Sequence, residues 1–327
     1  MENFKVIEFH RTRDFSNKMS ATFEFIKQNF RGLFKSILVI AGPPTLLASL
    51  IFSSFFSDIM SFSQQASTGQ VDAFQNYFFS VNFWLQIALL MLFLITSGVM
   101  NLATINNYII LYAQKRTNQI TVAEVWQRVR DTFWMYFGTI LSFSVLFIAA
   151  YIVLLIPIAF LGAISEVLVV FGVIFFFCAL IYIVFSASLV FIIRGYEKLG
   201  FFESVTRSFK LVKDKWWSTF GLVFVLYLIV GVVSYLFMIP GYIFMFISTL
   251  HSTSVDGTID PSSSLKIILM VSMTLYYLAQ MVLAALPYVG IAFQYFNLVE
   301  LKEAKGLIAD IQTLGDQPAH AQTDEQY

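Results

Sequence analysis

The chain has 327 residues, of which 58% are hydrophobic and only 12% are charged. A typical soluble domain is about 25% charged, so this composition indicates an integral membrane protein. The 20 Lys and Arg residues are balanced by 20 Asp and Glu residues, which gives no reason to expect nucleic acid as a partner. Cys178 is the only cysteine, so an internal disulfide and a cysteine-based zinc site are both excluded.

The intervals without charged residues predict six transmembrane helices. A helix that crosses a hydrocarbon core of about 30 Å needs about 20 apolar residues. After polar ends are trimmed, the intervals predict spans near 36–56, 82–112, 133–157, 167–193, 217–248 and 267–296. The predicted fold is an all-α polytopic membrane protein, whose transmembrane domain covers residues 36–299.

The positive charges predict the orientation of these spans. Nineteen of the 20 Lys and Arg residues lie in the N-terminal segment, the second and fourth loops and the C-terminal tail. Lys266 alone lies in the other three loops. Because Lys and Arg are enriched on the inner side of membrane proteins, we expect both termini in the cytoplasm.

Amphipathic patterns predict helices in the cytoplasmic segments. In residues 1–35 the apolar side chains recur at helical spacing, and basic residues occupy other faces; the apolar set is Phe15, Met19, Phe23, Ile26 and Phe30, and the basic set is Lys18, Lys27 and Arg31. Thr121 and Glu124 form a capping-box pattern that predicts a second helix start. Residues 300–327 are predicted to form a cytoplasmic amphipathic helix followed by a disordered acidic tail. The plain interpretation is that these helices are connectors on the membrane surface.

Two stretches of the chain match each other at an offset of 83 residues. Residues 121–157 align with 204–240, which pairs Asp131 with Asp214, Trp134 with Trp217 and Pro157 with Pro240. A weaker third copy begins near residue 26. The pattern predicts three repeated units, each an amphipathic cytoplasmic helix followed by a hairpin of two spans.

A family resemblance rests on two further stretches. The residues that carry it are Ser208, Phe209, Val212, Lys213, Trp216, Trp217, Phe220 and Gly221, and then Gln294, Tyr295, Phe296, Leu298, Glu300, Lys302 and Gly306. They resemble the six-helix membrane domain attached to some glycerophosphoryl diester phosphodiesterases and found alone in many bacterial membrane proteins. The resemblance implies a six-helix fold in the bacterial cytoplasmic membrane. The phosphodiesterase activity of the fused proteins belongs to a separate soluble barrel, for which this chain has no room.

The sequence lacks the residue patterns of common catalytic and cofactor sites. All Asp, Glu, Lys and Arg residues lie outside the predicted spans, which argues against an ion-coupled transporter. The three histidines lie in the termini and an outer loop, so no span offers a histidine as a base or ligand. Neither a Gly-x-Ser-x-Gly nor a His-Glu-x-x-His motif occurs. We therefore expect no catalytic residues, no metal, no cofactor and no enzymatic activity.

Polar side chains within the second predicted span allow two interpretations. Asn101 and Thr104 share a helix face, and Asn107 follows at the next step. Such groups most often form interhelical hydrogen bonds. The alternative is a polar lining for a small neutral solute or a lipid headgroup, and kinks at prolines such as Pro287 could help to build such a site.

Cations and tryptophans cluster at the predicted cytoplasmic boundary. The residues that could form a cradle for anionic lipid headgroups are Arg128, Arg130, Trp134, Lys213, Lys215 and Trp217. The plain interpretation is that they are ordinary interface anchors and markers of the inner side.

The sequence thus favours a non-enzymatic, lipid-interacting scaffold of the cytoplasmic membrane. Its expected partners are membrane lipids and, as a second class, another membrane protein. The alternative is a transporter or channel-like protein for a neutral or lipidic substrate. A continuous polar cavity bounded by Asn101 and Pro287 would favour the alternative, and a dry core would favour the scaffold.

Overall fold

The computed structural model of the chain describes residues 6–67, 76–254, 263–304, 306 and 308, and in these residues it is helical without any β-strand. The helices, in chain order, are α1 (Phe15–Ile40), α2 (Gly42–Ser67), α3 (Val81–Lys115), α4 (Val122–Ile164), α5 (Glu166–Ser186), α6 (Val190–Glu197), α7 (Phe201–Val212), α8 (Trp216–Tyr235), α9 (Ile239–Ser254), α10 (Ser263–Leu283) and α11 (Ala285–Glu303). The predicted acidic tail lies outside the described residues.

The lengths and hydropathy of the helices confirm the class of multi-pass membrane protein. Within the described part of the chain, the helical segments long and apolar enough to cross a membrane are Val81–Lys115, Val122–Ile164, Glu166–Glu197, Phe201–Ile247 and Ile267–Glu303. A sixth candidate is the pair Phe15–Ile40 and Gly42–Ile59, which is bent by 55°. The described chain therefore offers five spans, or six if the bent pair counts as one.

Several predicted spans are divided, and prolines account for three of the breaks. The α1–α2 bend at Ala41, the 3₁₀ turn Leu236–Met238 and the break at Ala284 each lie just upstream of a proline. Proline has no N–H to donate, so it fits the first turn of a helix and not its interior. At the fourth break, after Ser186, the carbonyl of that residue accepts a hydrogen bond from Oγ of Ser208 at 2.6 Å.

Helix α4 differs from the prediction in being continuous over 43 residues. Thr121 caps its start in a complete capping box with Glu124, as the sequence predicts. The predicted amphipathic helix and the following span are thus one rod about 65 Å long at 1.5 Å per residue. Asp131 lies in its interior, whereas the matching Asp214 lies in the 3₁₀ turn Lys213–Lys215. The two paired aspartates therefore lie in different local structures.

The packed core lies near the predicted cytoplasmic ends of the helices and not in their most apolar windows. Phe25, Tyr108, Tyr112, Phe293 and Phe296 are fully buried in one cluster. By contrast, none of the most apolar window of α4 and only 11% of that of α5 are buried. Lipid tails are as apolar as these side chains, so nothing drives the apolar faces together.

Residues 6–14, the N-terminal arm before α1, insert into this core. No pattern in the sequence predicts this insertion. The ring of Phe9 stacks on Phe293 with a centroid distance of 5.1 Å, and the backbone N–H of Ile7 donates to the hydroxyl of Tyr112 at 3.0 Å. The backbone N–H of Arg13 donates to Oδ1 of Asn297 at 2.6 Å. The arm therefore joins α3 to α11.

Helix α1 has an exposed and a buried face, but the buried face mixes polar with apolar side chains. Phe15, Phe23 and Phe30 are exposed, whereas Lys18 and Asn29 are buried beside Phe25. The hydroxyl of Tyr108 donates to Oδ1 of Asn29 at 3.2 Å, which ties α1 to α3. Three phenylalanines of the predicted apolar stripe are thus left exposed.

Candidate functional site

A groove of about 750 Å³ opens where α7 turns into α8 beside α5, and we call it the cationic groove. The residues that line it are Cys178, Ile181, Tyr182, Lys213, Asp214, Lys215, Trp216, Trp217, Ser218 and Phe220. The lining is largely apolar, with two lysines at one side. The predicted residues Lys213, Lys215 and Trp217 therefore share one site.

The 3₁₀ turn between α7 and α8 explains how these residues come together. It presents the exposed side chains of Lys213 and Lys215 two positions apart, and α8 begins at Trp216. The ring of Trp216 stacks on Tyr182 with a centroid distance of 5.7 Å and on Phe220 at 5.2 Å. The aromatic stack fixes the wall behind the lysines, while Trp217 is 77% exposed.

The acidic residue between the two lysines is already paired. Nζ of Lys302 donates to Oδ2 of Asp214 at 2.8 Å and to the backbone carbonyl of Lys210 at 2.6 Å. Neither Lys213 nor Lys215 has an ion-pair partner among the described residues. The groove consequently keeps an uncompensated positive charge.

A third cation, Lys18 of α1, lies directly behind the groove. It is 2% exposed, and its Nζ donates to Oγ of Ser218 and to Oε1 of Gln294, both at 2.7 Å. Nε2 of Gln294 in turn donates to Oγ1 of Thr219 at 2.8 Å. Among the described residues no carboxylate lies within ion-pair distance of this ammonium. A buried charge without a counter-ion is costly, so an anion at Ser218 would relieve it.

Lys18 could not be identified as a site residue from the sequence, because a lone lysine on an amphipathic helix is usually solvated. The one available signal was Gln294, a buried amide in the last predicted span. Its partner on α1 is 276 residues away along the chain, so spacing could not reveal the pair.

The three predicted residues of α4 lie elsewhere. Nη1 of Arg128 donates to Oε1 of Gln114 on α3 at 2.7 Å. Arg130 and Trp134 are exposed. No residue of α4 lines the cationic groove. The six residues predicted to form one cradle for lipid headgroups therefore belong to two separate surfaces.

The predicted intramembrane polar residues of α3 connect helices. Nδ2 of Asn101 donates to the backbone carbonyl of Met281 at 3.0 Å, in the last turn of α10, where carbonyls lack intrahelical partners. Nδ2 of Asn107 donates to Oγ1 of Thr132 on α4 at 2.7 Å. Thr104 is fully buried, and its hydroxyl has no hydrogen-bond partner among the described residues. These contacts fit the interpretation as interhelical hydrogen bonds.

An ionic cluster braces the elements around the cationic groove. Nε of Arg207 on α7 donates to Glu197 of α6 at 3.0 Å, and its Nη1 donates to Glu303 of α11. The hydroxyl of Tyr295 donates to the same Glu197 carboxylate at 2.6 Å. The cluster holds α7 in place six residues before Lys213.

The described residues contain no group of three or more His, Cys, Asp or Glu that could hold a metal ion. No family model matches the chain, and comparisons with curated proteins and with solved structures find no match.

Proposed function

We propose that this chain is a non-enzymatic, multi-pass protein of the bacterial cytoplasmic membrane that binds an anionic phospholipid headgroup in the cationic groove. The observation that carries the proposal is the arrangement of three cations around Ser218. Lys213 and Lys215 are exposed without an ion-pair partner among the described residues, and Lys18 is buried behind Ser218 without a carboxylate.

The lining of the groove suits a lipid at a membrane surface. Each Lys near an anionic membrane contributes about 1 kcal/mol, and tryptophans such as Trp216 and Trp217 prefer the interface between water and hydrocarbon. Ser218 lies in the first turn of α8, where the helix dipole also favours an anion. The headgroup phosphate would lie near Ser218, with Trp217 beside the headgroup.

The orientation and the family assignment belong to the same proposal. The cation count supports six spans, with the bent α1–α2 pair as the first and both termini in the cytoplasm. The three-unit repeat remains part of this proposal, supported by the paired positions in 121–157 and 204–240. Four residues that carry the resemblance to the phosphodiesterase-associated membrane domain, namely Lys213, Trp216, Trp217 and Phe220, line the cationic groove. The resemblance and the proposed lipid site therefore share one turn of the chain.

The transporter alternative has weaker support. Asn101 and Asn107, which the alternative interpretation assigned to a solute path, donate to Met281 of α10 and Thr132 of α4. Such bridges stabilise helix packing, as the first interpretation expects, although Oδ1 of each asparagine is buried without a hydrogen-bond partner among the described residues.

The proposal is tested by lipid titration of the full-length protein. Vesicles of phosphatidylcholine would contain increasing fractions of brominated phosphatidylglycerol, which quenches nearby tryptophans. The double variant Lys213→Gln/Lys215→Gln should weaken the affinity for phosphatidylglycerol, as read from the quenching, about thirtyfold at low salt. The reason is that two cations contribute about 2 kcal/mol. The loss should shrink as salt rises.

A matched double variant controls for charge alone. Lys27 and Lys198 are exposed lysines on the same predicted side of the membrane, and neither lines the cationic groove. Lys27→Gln/Lys198→Gln should change the titration by less than about twofold if the groove, and not the overall charge, binds the lipid. Equal losses in the two double variants would reject the cationic groove as the site.

A further inference from the structure

A second groove, of about 720 Å³, lies between α4, α5, α8 and α11, and we call it the apolar groove. Its walls include the rings of Phe185, Phe224, Tyr227 and Tyr288, with Ser144 and Ser188 between them. Its volume falls within the roughly 300–1,000 Å³ of small-molecule sites. None of its lining side chains carries a charge.

The two grooves follow one another along the same pair of helices. Helix α5 contributes Tyr182 to the cationic groove and Phe185, one turn later, to the apolar groove. Helix α8 likewise contributes Phe220 to the first and Phe224 to the second. The rings of Phe185 and Phe220 meet edge to face at 4.8 Å, and those of Phe220 and Phe224 stack at 5.6 Å. The rings of Phe185, Phe220 and Phe224 therefore form one aromatic wall that runs from the first groove to the second.

The apolar groove also contains two phenol hydrogen-bond donors. Tyr227, which is 48% exposed, and Tyr288, which is partly buried, both line it. A phenol next to hydrocarbon prefers an acceptor, and the ester carbonyls of a glycerolipid are acceptors of that kind. The combination of charge at one end, phenols and an apolar wall matches a lipid that carries all three chemical parts.

We infer that the apolar groove holds an acyl chain of the phospholipid whose headgroup occupies the cationic groove. The inference rests on the proposed function and specifies its ligand: a long-chain anionic glycerophospholipid, and not a soluble phosphate compound. The chain lies along the aromatic wall of α5 and α8, and Tyr227 and Tyr288 donate to the ester region.

The test compares two probes that share a headgroup. Full-length protein in detergent is titrated with dioleoyl phosphatidylglycerol and with dihexanoyl phosphatidylglycerol, and binding is read by native mass spectrometry. Ser144→Trp fills the apolar groove and should weaken binding of the dioleoyl lipid about tenfold, which is 1.4 kcal/mol, with less than a twofold effect on the dihexanoyl lipid. The control Val145→Trp changes an exposed position next to Ser144 that does not line the groove, and it should alter neither titration.

A second variant covers a failure of Ser144→Trp to fold. Tyr227→Phe/Tyr288→Phe keeps the shape of the groove and removes both donors. Because both lipids carry the ester carbonyls, this variant should weaken binding of both by about threefold or more. If both groove variants bind the two lipids as the wild type does, the apolar groove is not the chain site, although the headgroup site stands. If Lys213→Gln/Lys215→Gln leaves both lipids bound, the proposed function itself fails.

Discussion

The ammonium of Lys18 lies 2.7 Å from Oε1 of Gln294, and it is buried there without a carboxylate partner among the described residues. The contact joins the first described helix to the last. Through Ser218 it also reaches α8, the helix that carries the cationic groove. A cation that the fold keeps buried at this junction links the packing of the bundle to the charge of its candidate site.

This junction predicts opposite effects of two substitutions. Gln294→Leu removes an acceptor from a buried ammonium and should lower the free energy of unfolding by about 1.5–3 kcal/mol. Lys18→Met removes the ammonium, so the relief of its desolvation offsets the lost hydrogen bonds and stability should change little or rise. The double variant should recover most of the loss caused by Gln294→Leu.

Thermal and denaturant unfolding in detergent measure this cycle. Gln280→Leu is a matched control, since Gln280 is only partly buried and bonds to Tyr276 of its own helix. That change should cost less than about 1 kcal/mol. Additive losses in the Lys18→Met/Gln294→Leu protein would show that the two side chains do not act together.

Arg207 should contribute more to stability than the cations at the surface. Its guanidinium binds two carboxylates, and the side chains of Arg207, Glu197 and Glu303 are 24%, 16% and 27% exposed. Arg207→Met leaves Glu197 and Glu303 without their shared cation and should cost about 2–4 kcal/mol. Arg207→Lys should recover less than half of that, because an ammonium cannot reproduce the guanidinium fork.

A surface pair supplies the comparison for Arg207. Lys115 pairs with Glu124, and both side chains are more than a third exposed. Lys115→Met should change the free energy of unfolding by less than about 0.5 kcal/mol. An equal cost at Lys115 and Arg207 would mean that the cluster at α6, α7 and α11 is no more than a surface network.

A close contact at Gly195 predicts a rescue. A Cβ atom there would lie 2.4 Å from the hydroxyl oxygen of Tyr136 and 2.9 Å from Cδ1 of Ile110. Gly195→Ala should therefore cost about 1–3 kcal/mol through overpacking. Tyr136→Phe should be neutral or stabilising by itself, because that hydroxyl is buried without a partner among the described residues. It should also remove much of the cost of Gly195→Ala.

The unfolding midpoints of Gly195→Ala, Tyr136→Phe and the double variant measure this rescue. Gly231→Ala provides the control, because nothing lies within 4 Å of a Cβ atom there. Alanine in that helix interior should stabilise the protein by about 0.5–1 kcal/mol. If Tyr136→Phe does not reduce the cost of Gly195→Ala, the clash is with Ile110 and not with the tyrosine hydroxyl.

Cysteine labelling tests the orientation. Cys178 is exposed, so it is first replaced by Ser. Single cysteines at Ser67 and Ser263 should then react in intact cells with a membrane-impermeant thiol reagent, whereas one at Thr117 should not, because the cations lie on its side. Labelling at Thr117 with silence at the other two positions would invert the proposed topology.

The parts of the fold set by local chemistry could be predicted from the sequence. Helix α3 begins at Val81, one residue from the predicted start, and Thr121 caps α4 as expected. The prolines at 43, 240 and 287 lie at interruptions, whereas Pro157, the repeat partner of Pro240, lies inside the unbroken helix α4. In the candidate site, the sequence brought Lys213, Lys215 and Trp217 together because they are neighbours on one turn.

The parts set by distant contacts could not be predicted. Two polar side chains of α1 are buried because Lys18 meets Gln294 and Asn29 meets Tyr108, and no local pattern shows these pairs. Hydropathy alone placed Lys18 in the solvated headgroup region. Trp134 and Trp217 were predicted to lie in one cradle for lipid headgroups. In the structure Trp217 lines the cationic groove, and Trp134 lies on α4, which does not reach that groove.

The most direct test of lipid binding in the cationic groove is native mass spectrometry of the protein released from its own membrane. The wild type and Arg128→Gln/Arg130→Gln should each retain one anionic phospholipid per chain. Lys213→Gln/Lys215→Gln should lose it. Each variant must first show the wild-type labelling pattern, since removed cations could alter insertion. Retention of the lipid by a correctly inserted Lys213→Gln/Lys215→Gln protein would contradict the account.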